Sequence, residues 1–200
     1  MLVSMAVELD DRALMLRYRD GDVTAFETLY QRHRGPLYRF LLNQSRDIQA
    51  AEDIFQEVWS RIIRSRERYR PAAKFATYMY HIARNCFLDH VRRSGRQPVL
   101  VSIDDNPSEE LVAGSDNPEA AAETSNTRTY LRAALDRLPP EQREAFLLRE
   151  EAGLTLEEIG QVTGVGQETA KSRLRYAIVK LRNSLPAEVA DPLTGTDNDR

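Results

Sequence analysis

The stretch TLEEIGQVTGVGQETAKSRLRYAIVKLR, residues 155–182, decides how this chain folds. Thr155 followed three residues later by Glu158 is a capping-box signature, in which each residue satisfies a backbone N–H that the first helical turn leaves unpaired. A short helix therefore starts here, with Leu156 and Ile159 on its buried edge and Gly160 leaving room for a second helix to cross closely. In the TGVG turn that follows, Gly164 is free to take positive φ and Val165 points inward. The next helix places Ala170, Leu174, Ala177, Ile178 and Leu181 in one arc at about 100° per residue. Glu168, Ser172, Arg175 and Tyr176 fall on the opposite arc, flanked by Lys171 and Arg173. Together these features spell a helix-turn-helix, whose second helix enters a DNA major groove by its N-terminal half. A solvated face on a bundle helix would explain the basic residues without DNA. The cap, glycine turn and basic second helix taken together favour DNA, with phosphates as the partners and guanine edges within reach of Arg175 or Lys171.

That basic helix sits in a chain of net charge −3, so its charge has to be read by segment. Residues 1–96 hold 17 Lys/Arg and 12 Asp/Glu, whereas residues 97–127 hold seven acids and no base. Residues 128–186 hold ten Lys/Arg and eight acids, and residues 187–200 one and four. The acidity belongs to a linker and a tail, and does not argue against a nucleic-acid partner for the rest. The expected organisation is two small helical domains, 1–96 and 128–186, a flexible acidic linker at 97–127 and a disordered tail at 187–200.

Apolar residues recur at spacings of three and four outside the linker, with no convincing strand alternation, so the fold class is all-α. Helices are predicted near 11–19, 22–33, 35–45, 49–66 and 76–94, punctuated by Gly21, Gly35 and Pro71, then near 127–137, 140–151, 155–162 and 166–185. Cys86 is the only cysteine. It lies among Tyr78, Met79, Ile82 and Ala83 at helical spacing, which reads as a buried structural thiol in a reducing compartment. The start lacks the pattern of a signal peptide, and no run approaches the ~20 apolar residues of a membrane span. A cytoplasmic protein without membrane insertion is expected. His33, His81 and His90 have no metal-binding spacing, no Gly-Lys loop cradles phosphate, and Cys86 lies on an apolar face. Neither catalysis, a metal nor a cofactor is expected.

Four segments occur in a set order: GDVTAFETLYQRHRGPLYRFLL, AAEDIFQEVWSRIIR, FATYMYHIARNCFLDHVRR and LDRLPPEQREAFLLREEAGLTLEEIGQVTGVGQETAKSRL. Together they resemble the bacterial RNA polymerase sigma factors of the extracytoplasmic-function (ECF) group, over about residues 12–185. The residues make physical sense beside the resemblance. In residues 50–63, Ala51, Ile54, Phe55, Val58, Trp59 and Ile62 form an apolar stripe, while Glu52, Asp53, Gln56 and Glu57 line the other side. One face can pack while the other meets a basic partner. The resemblance implies that this acidic face docks on the clamp helices of the largest subunit of core RNA polymerase.

The helix after Pro71 interleaves Phe75, Tyr78, Tyr80 and Phe87 with His81, Arg84, Asn85, Arg92 and Arg93. Rings stack bases and cations hold phosphates, a combination suited to single-stranded DNA, although most of these rings are expected in the core and only Tyr80 is weighed as a DNA contact. The resemblance implies that the promoter's minus-ten region is opened by capturing a base of the nontemplate strand in the loop Arg68–Lys74. Lys74, Tyr80, Arg84, Asn85, Arg92 and Arg93 are the minus-ten candidates. The resemblance further places minus-thirty-five duplex reading on Lys171, Ser172, Arg175 and Tyr176, runs the acidic linker toward the RNA exit path, and makes an anti-sigma factor or other regulator an expected partner. The alternative is a helix-turn-helix regulator that binds duplex DNA without acting as a polymerase subunit. A purely protein-binding helical adaptor is a third possibility, and would show no salt-sensitive DNA binding.

Overall fold

The computed structural model describes residues 9–95, 127 and 129–185, and among these there is no strand. The first half contains α1 (Asp11–Arg19), α2 (Val23–Ser45), α3 (Ile48–Ser65), a 3-10 turn (Arg66–Arg68) and α4 (Phe75–Ser94). The second half contains α5 over residues 129–136, α6 (Pro140–Glu150), α7 (Leu156–Thr163) and α8 (Gln167–Ser184). The predicted tail, and the predicted linker apart from Thr127, lie outside the described residues.

Aspartates start the first three helices. Asp10, Asp22 and Asp47 each accept hydrogen bonds from main-chain N–H groups of the first turn, which have no helical partner of their own. Where the sequence predicts two helices parted at Gly35, the chain forms one, and α2 runs unbroken through Gly35 and Pro36. Pro36 removes a donor and crowds the carbonyl four residues back. The seating of Leu37, Phe40 and Leu41, none with measurable exposure, overrides that local preference. Gly21 does end a helix, at φ +106°.

In the first half an aromatic cluster fills the space between α2 and α3. Trp59 meets Tyr30 at 5.0 Å and Phe26 at 5.7 Å between ring centroids, both edge-on. α1 is tied to α2 by Asp11, which accepts hydrogen bonds from His33 Nε2 at 2.6 Å and Arg32 Nη1 at 2.9 Å. The His33 bond, with Arg32 assisting against burial, holds the Asp11 carboxyl below the usual carboxylate range. Cys86 is buried, as expected, and burial pushes its thiol pKa up.

The two halves pack on each other, α4 against α7 and α2 against α6, around a continuous core. Arg46, the C-cap of α2, is the only described non-glycine residue with positive φ, at +59°. Its guanidinium reaches α5: Nε lies 2.8 Å from Asp136 Oδ1, and Nη2 donates to the Asp136 carbonyl oxygen. A left-handed conformation is unfavourable for a residue with a Cβ, and here it aims the side chain at the other half of the molecule.

Candidate polymerase and nucleic-acid interfaces

On α3 the sequence sorts its two faces as expected. Ala51, Ile54, Val58, Trp59 and Ile62 are buried, Asp53 and Gln56 are exposed, and Glu52 and Glu57 are half-buried. The acids are not equally free. Glu57 accepts from Arg61 Nε at 2.7 Å and lies 3.6 Å from Arg64, and the Arg61 bond holds its carboxyl below the usual range. Asp53 accepts only an amide hydrogen bond from Gln49 Nε2, at 3.1 Å, and forms no ion pair among the described residues. The uncompensated negative charge on this face therefore lies at Glu52 and Asp53.

The helix-turn-helix is built as its sequence predicts. Thr155 and Glu158 form a reciprocal capping box, and Gly164 closes α7 at φ +74°. A Cβ on Gly160 would stand 2.8 Å from the main-chain oxygen of Val165, so the turn passes where only glycine leaves space. Ala170, Leu174, Ala177 and Leu181 seat α8 in the core. Lys171, Arg175 and Tyr176 are exposed and Ser172 half-buried, with the Arg175 guanidinium 5.1 Å from the Tyr176 ring centroid. No acid of the described residues pairs with Lys171 or Arg175, so both are free to meet phosphate or base edges.

The face of α4 differs. Lys74 Nζ lies 3.1 Å from Glu158 of α7, and Arg84 Nε lies 3.0 Å from Glu144 of α6. Asn85 is half-buried, its Nδ2 3.4 Å from His81 Nδ1. Arg92 and Arg93 are exposed near the C-terminal end of the helix, where Arg92 pairs with Asp89 at 3.0 Å. Tyr80 requires a correction: it is 1 % exposed, edge-on to Phe40 at 5.1 Å, and is not open to a base in this arrangement. Burial, with Glu151 adding to it, pushes the phenol pKa up. The candidate loop stands out from the body, with Arg68, Arg70, Ala72, Ala73 and Lys74 exposed and Tyr69 buried as its anchor.

Residues 29–97 match the family model for Sigma-70 region 2, and residues 134–183 the model for Sigma-70, region 4. The chain is 33% identical over 171 residues to the RNA polymerase sigma factor CarQ of Myxococcus xanthus, covering 86% of this chain and 95% of CarQ. It is 30% identical over 190 residues to the ECF RNA polymerase sigma-E factor of Haemophilus influenzae, covering 90% and 98%. The chain belongs to the ECF sigma factors. It is an alternative sigma factor, which works with core RNA polymerase to direct transcription initiation. The sigma factor's fold matches that of RpoE from Bartonella quintana, solved with the anti-sigma factor NepR, at TM-score 0.63 and 22% identity, covering 86% of this chain and 98% of that one. CnrH, solved with the cytosolic domain of CnrY, gives TM-score 0.62 at 19% identity, covering 86% and 95%.

Sequence reasoning missed the charged groups at the junction of the two halves of the sigma factor. Glu144 and Arg143 are both buried although each belongs to a type that is seldom fully enclosed. Burial, only partly opposed by Arg84, raises the Glu144 carboxyl above its usual pKa. Burial, with Arg46 acting in the same direction, lowers the Arg143 guanidinium to about 10. In the sequence these residues look like any charged positions on a helix, and only the placement of the other half distinguishes them.

Proposed function

We propose that the sigma factor divides its work among three faces, carried by a minus-ten domain at 1–96 and a minus-thirty-five domain at 128–186. Glu52, Asp53, Gln56 and Glu57 on α3 dock on a basic surface of core polymerase. The loop Arg68–Lys74 and α4, through Lys74, Arg84, Asn85, Arg92 and Arg93, receive the nontemplate strand of the minus-ten element. On α8, Lys171, Ser172, Arg175 and Tyr176 read the minus-thirty-five duplex. The observation that supports this division most is the sorting of α3 and α8, each burying an apolar stripe while leaving a face of one dominant charge to solvent.

The protein acts in the cytoplasm as a non-catalytic initiation factor. No helix among the described residues is long and apolar enough to cross a membrane, which fits that reading. An anti-sigma factor is its expected controlling partner, as NepR is for RpoE of B. quintana. The test is transcription in vitro from genomic DNA fragments with core polymerase, with and without the protein. A discrete set of new start sites is expected. Tight binding of the protein alone to duplex DNA without association with core polymerase would favour the stand-alone regulator instead.

A further inference from the structure

The candidate capture loop has one buried side chain. Among residues 68–74 only Tyr69 is enclosed, at 2 % exposure, while Arg70, Ala72, Ala73 and Lys74 at the tip stand in solvent. The tip holds itself with little: the Ala72 N–H donates to the Arg70 carbonyl at 2.8 Å, and Arg70 Nη1 to the Tyr69 carbonyl at 3.2 Å. Ala72 and Ala73 offer no more than a methyl group for packing, so the course of the loop is set at its root. There the Tyr69 ring lies edge-on to Tyr78, in the first turn of α4, at 5.3 Å between centroids. Tyr78 in turn shares a 2.8 Å hydrogen bond with Ser65, the last residue of α3. The Ser65 hydroxyl has one proton and gives it to the Arg61 carbonyl at 2.7 Å, so Tyr78 is the donor to Ser65. α1 closes the other side, with the Arg66 guanidinium 5.6 Å from the Tyr18 ring centroid. None of these contacts uses a residue of the second half.

We propose that Tyr69, Tyr78 and Ser65 are positioning residues for base capture: they tie the end of α3 to the start of α4 and hold the loop between them in the shape that receives a nontemplate base. The proposal rests on the assignment of this loop and α4 to the minus-ten strand. Tyr69 acts from beneath the tip, since it is enclosed and presents nothing to DNA. A loop that is already ordered takes up a base without the entropy cost of ordering it. Once the root is loosened, that cost falls on the base that needs the ordered loop and not on bases held through phosphate contacts alone. Selectivity among bases therefore falls before strand binding does. The ring of Tyr69 carries this role and its hydroxyl does not, because the hydroxyl is buried with no hydrogen-bond partner.

The test is transcription by holoenzyme on pre-melted minus-ten templates that carry each of the four bases in turn at every nontemplate position of the bubble. Wild type is expected to prefer one base at one position or more. Tyr69→Leu, which keeps an apolar anchor without the ring, should remove most of that preference, up to about tenfold, the factor for ordering one residue on capture. Tyr69→Phe should keep it. Ser65→Ala and Tyr78→Phe should each lower the preference about fivefold, as for one hydrogen bond, and the double variant no further, because both remove the same bond. A uniform loss across the four bases with preference intact would overturn the proposal, as would unchanged preference in both Tyr69→Leu and the Ser65→Ala/Tyr78→Phe double variant. If Asn85→Ala holoenzyme then still fails on duplex template and recovers on a pre-melted one, the minus-ten assignment stands and only the positioning role falls. Absence of any base preference in the wild type removes base capture by this loop and the positioning role together.

Discussion

The two helices assigned to DNA are both basic, but their cations are in opposite conditions. On α8, Lys171 and Arg175 face solvent and pair with no acid among the described residues; on α4, Lys74 and Arg84 are paired with carboxylates from the other half of the chain. Helical spacing identifies which side of a helix carries charge. It does not show whether that charge meets water, nucleic acid or the protein itself, because the answer depends on residues more than fifty positions away. A third group of basic side chains, Arg32 and His33, is used in folding, since it fixes Asp11 and so docks α1.

The strongest perturbation should come from the face that carries neither kind of basic helix. Asp53→Arg with Gln56→Arg reverses one charge and adds a second positive one at exposed positions on α3, and should weaken core polymerase binding by about 4 kcal/mol through like-charge repulsion, with the helical content unchanged. A holoenzyme titration checks it, and unchanged affinity would place docking elsewhere. Next in size is Gly160→Ala. Its Cβ would approach the Val165 main-chain oxygen to 2.8 Å, and since backbone cannot yield as a flexible side chain does, the helix-turn-helix should lose about 3 kcal/mol in denaturant unfolding. Polymerase affinity through α3 should survive, which separates the α8 region from the rest of the molecule.

Within α8, Lys171 and Arg175 should differ. A guanidinium can make a bidentate contact to guanine while an ammonium serves as a point charge. Arg175→Ala should therefore cost about 2 kcal/mol on the cognate minus-thirty-five element and flatten preference at one base pair. Lys171→Ala should weaken all sequences alike and reduce the salt slope by about one unit. Binding of full-length protein to a library of minus-thirty-five variants at several salt concentrations reads both effects. Equal loss of preference in the two variants would contradict the split.

The smallest effect concerns Asp11, which the basic side chains Arg32 and His33 hold in the fold. Because the Asp11 carboxyl is depressed below its reference value of 3.8 in the fold, its pairing stabilises fully above that value and is lost as pH falls through the lowered one. Asp11→Asn should thus remove about 1 kcal/mol at neutral pH and little at the acid end, as thermal unfolding across pH would show. A constant difference across the range would mean that packing, not charge, is what Asp11 supplies.

Much of the architecture was legible because it is encoded locally. The Thr155/Glu158 box, the positive φ of Gly164 and the stripe from Ala170 to Leu181 all lie within helical neighbours of one another, and each has the predicted place. The break expected at Gly35 was not found, because burial of Leu37, Phe40 and Leu41 overrides a turn signal that reads only neighbours. Tyr80 was misjudged for the same reason: an aromatic beside cations suits DNA, yet Phe40 of another helix encloses it. The four junction pairs were illegible, since no spacing rule links Arg84 to Glu144 or Arg39 to Glu151.

The central claim is that α4 handles the opened strand while α8 handles duplex. It is tested most directly by transcription with Asn85→Ala holoenzyme on two templates that differ only in a pre-melted minus-ten bubble. The account predicts a loss of about tenfold or more on the duplex and substantial recovery on the bubble, because pre-melting removes an unpairing cost of a few kcal/mol. Equal loss on both templates would contradict it.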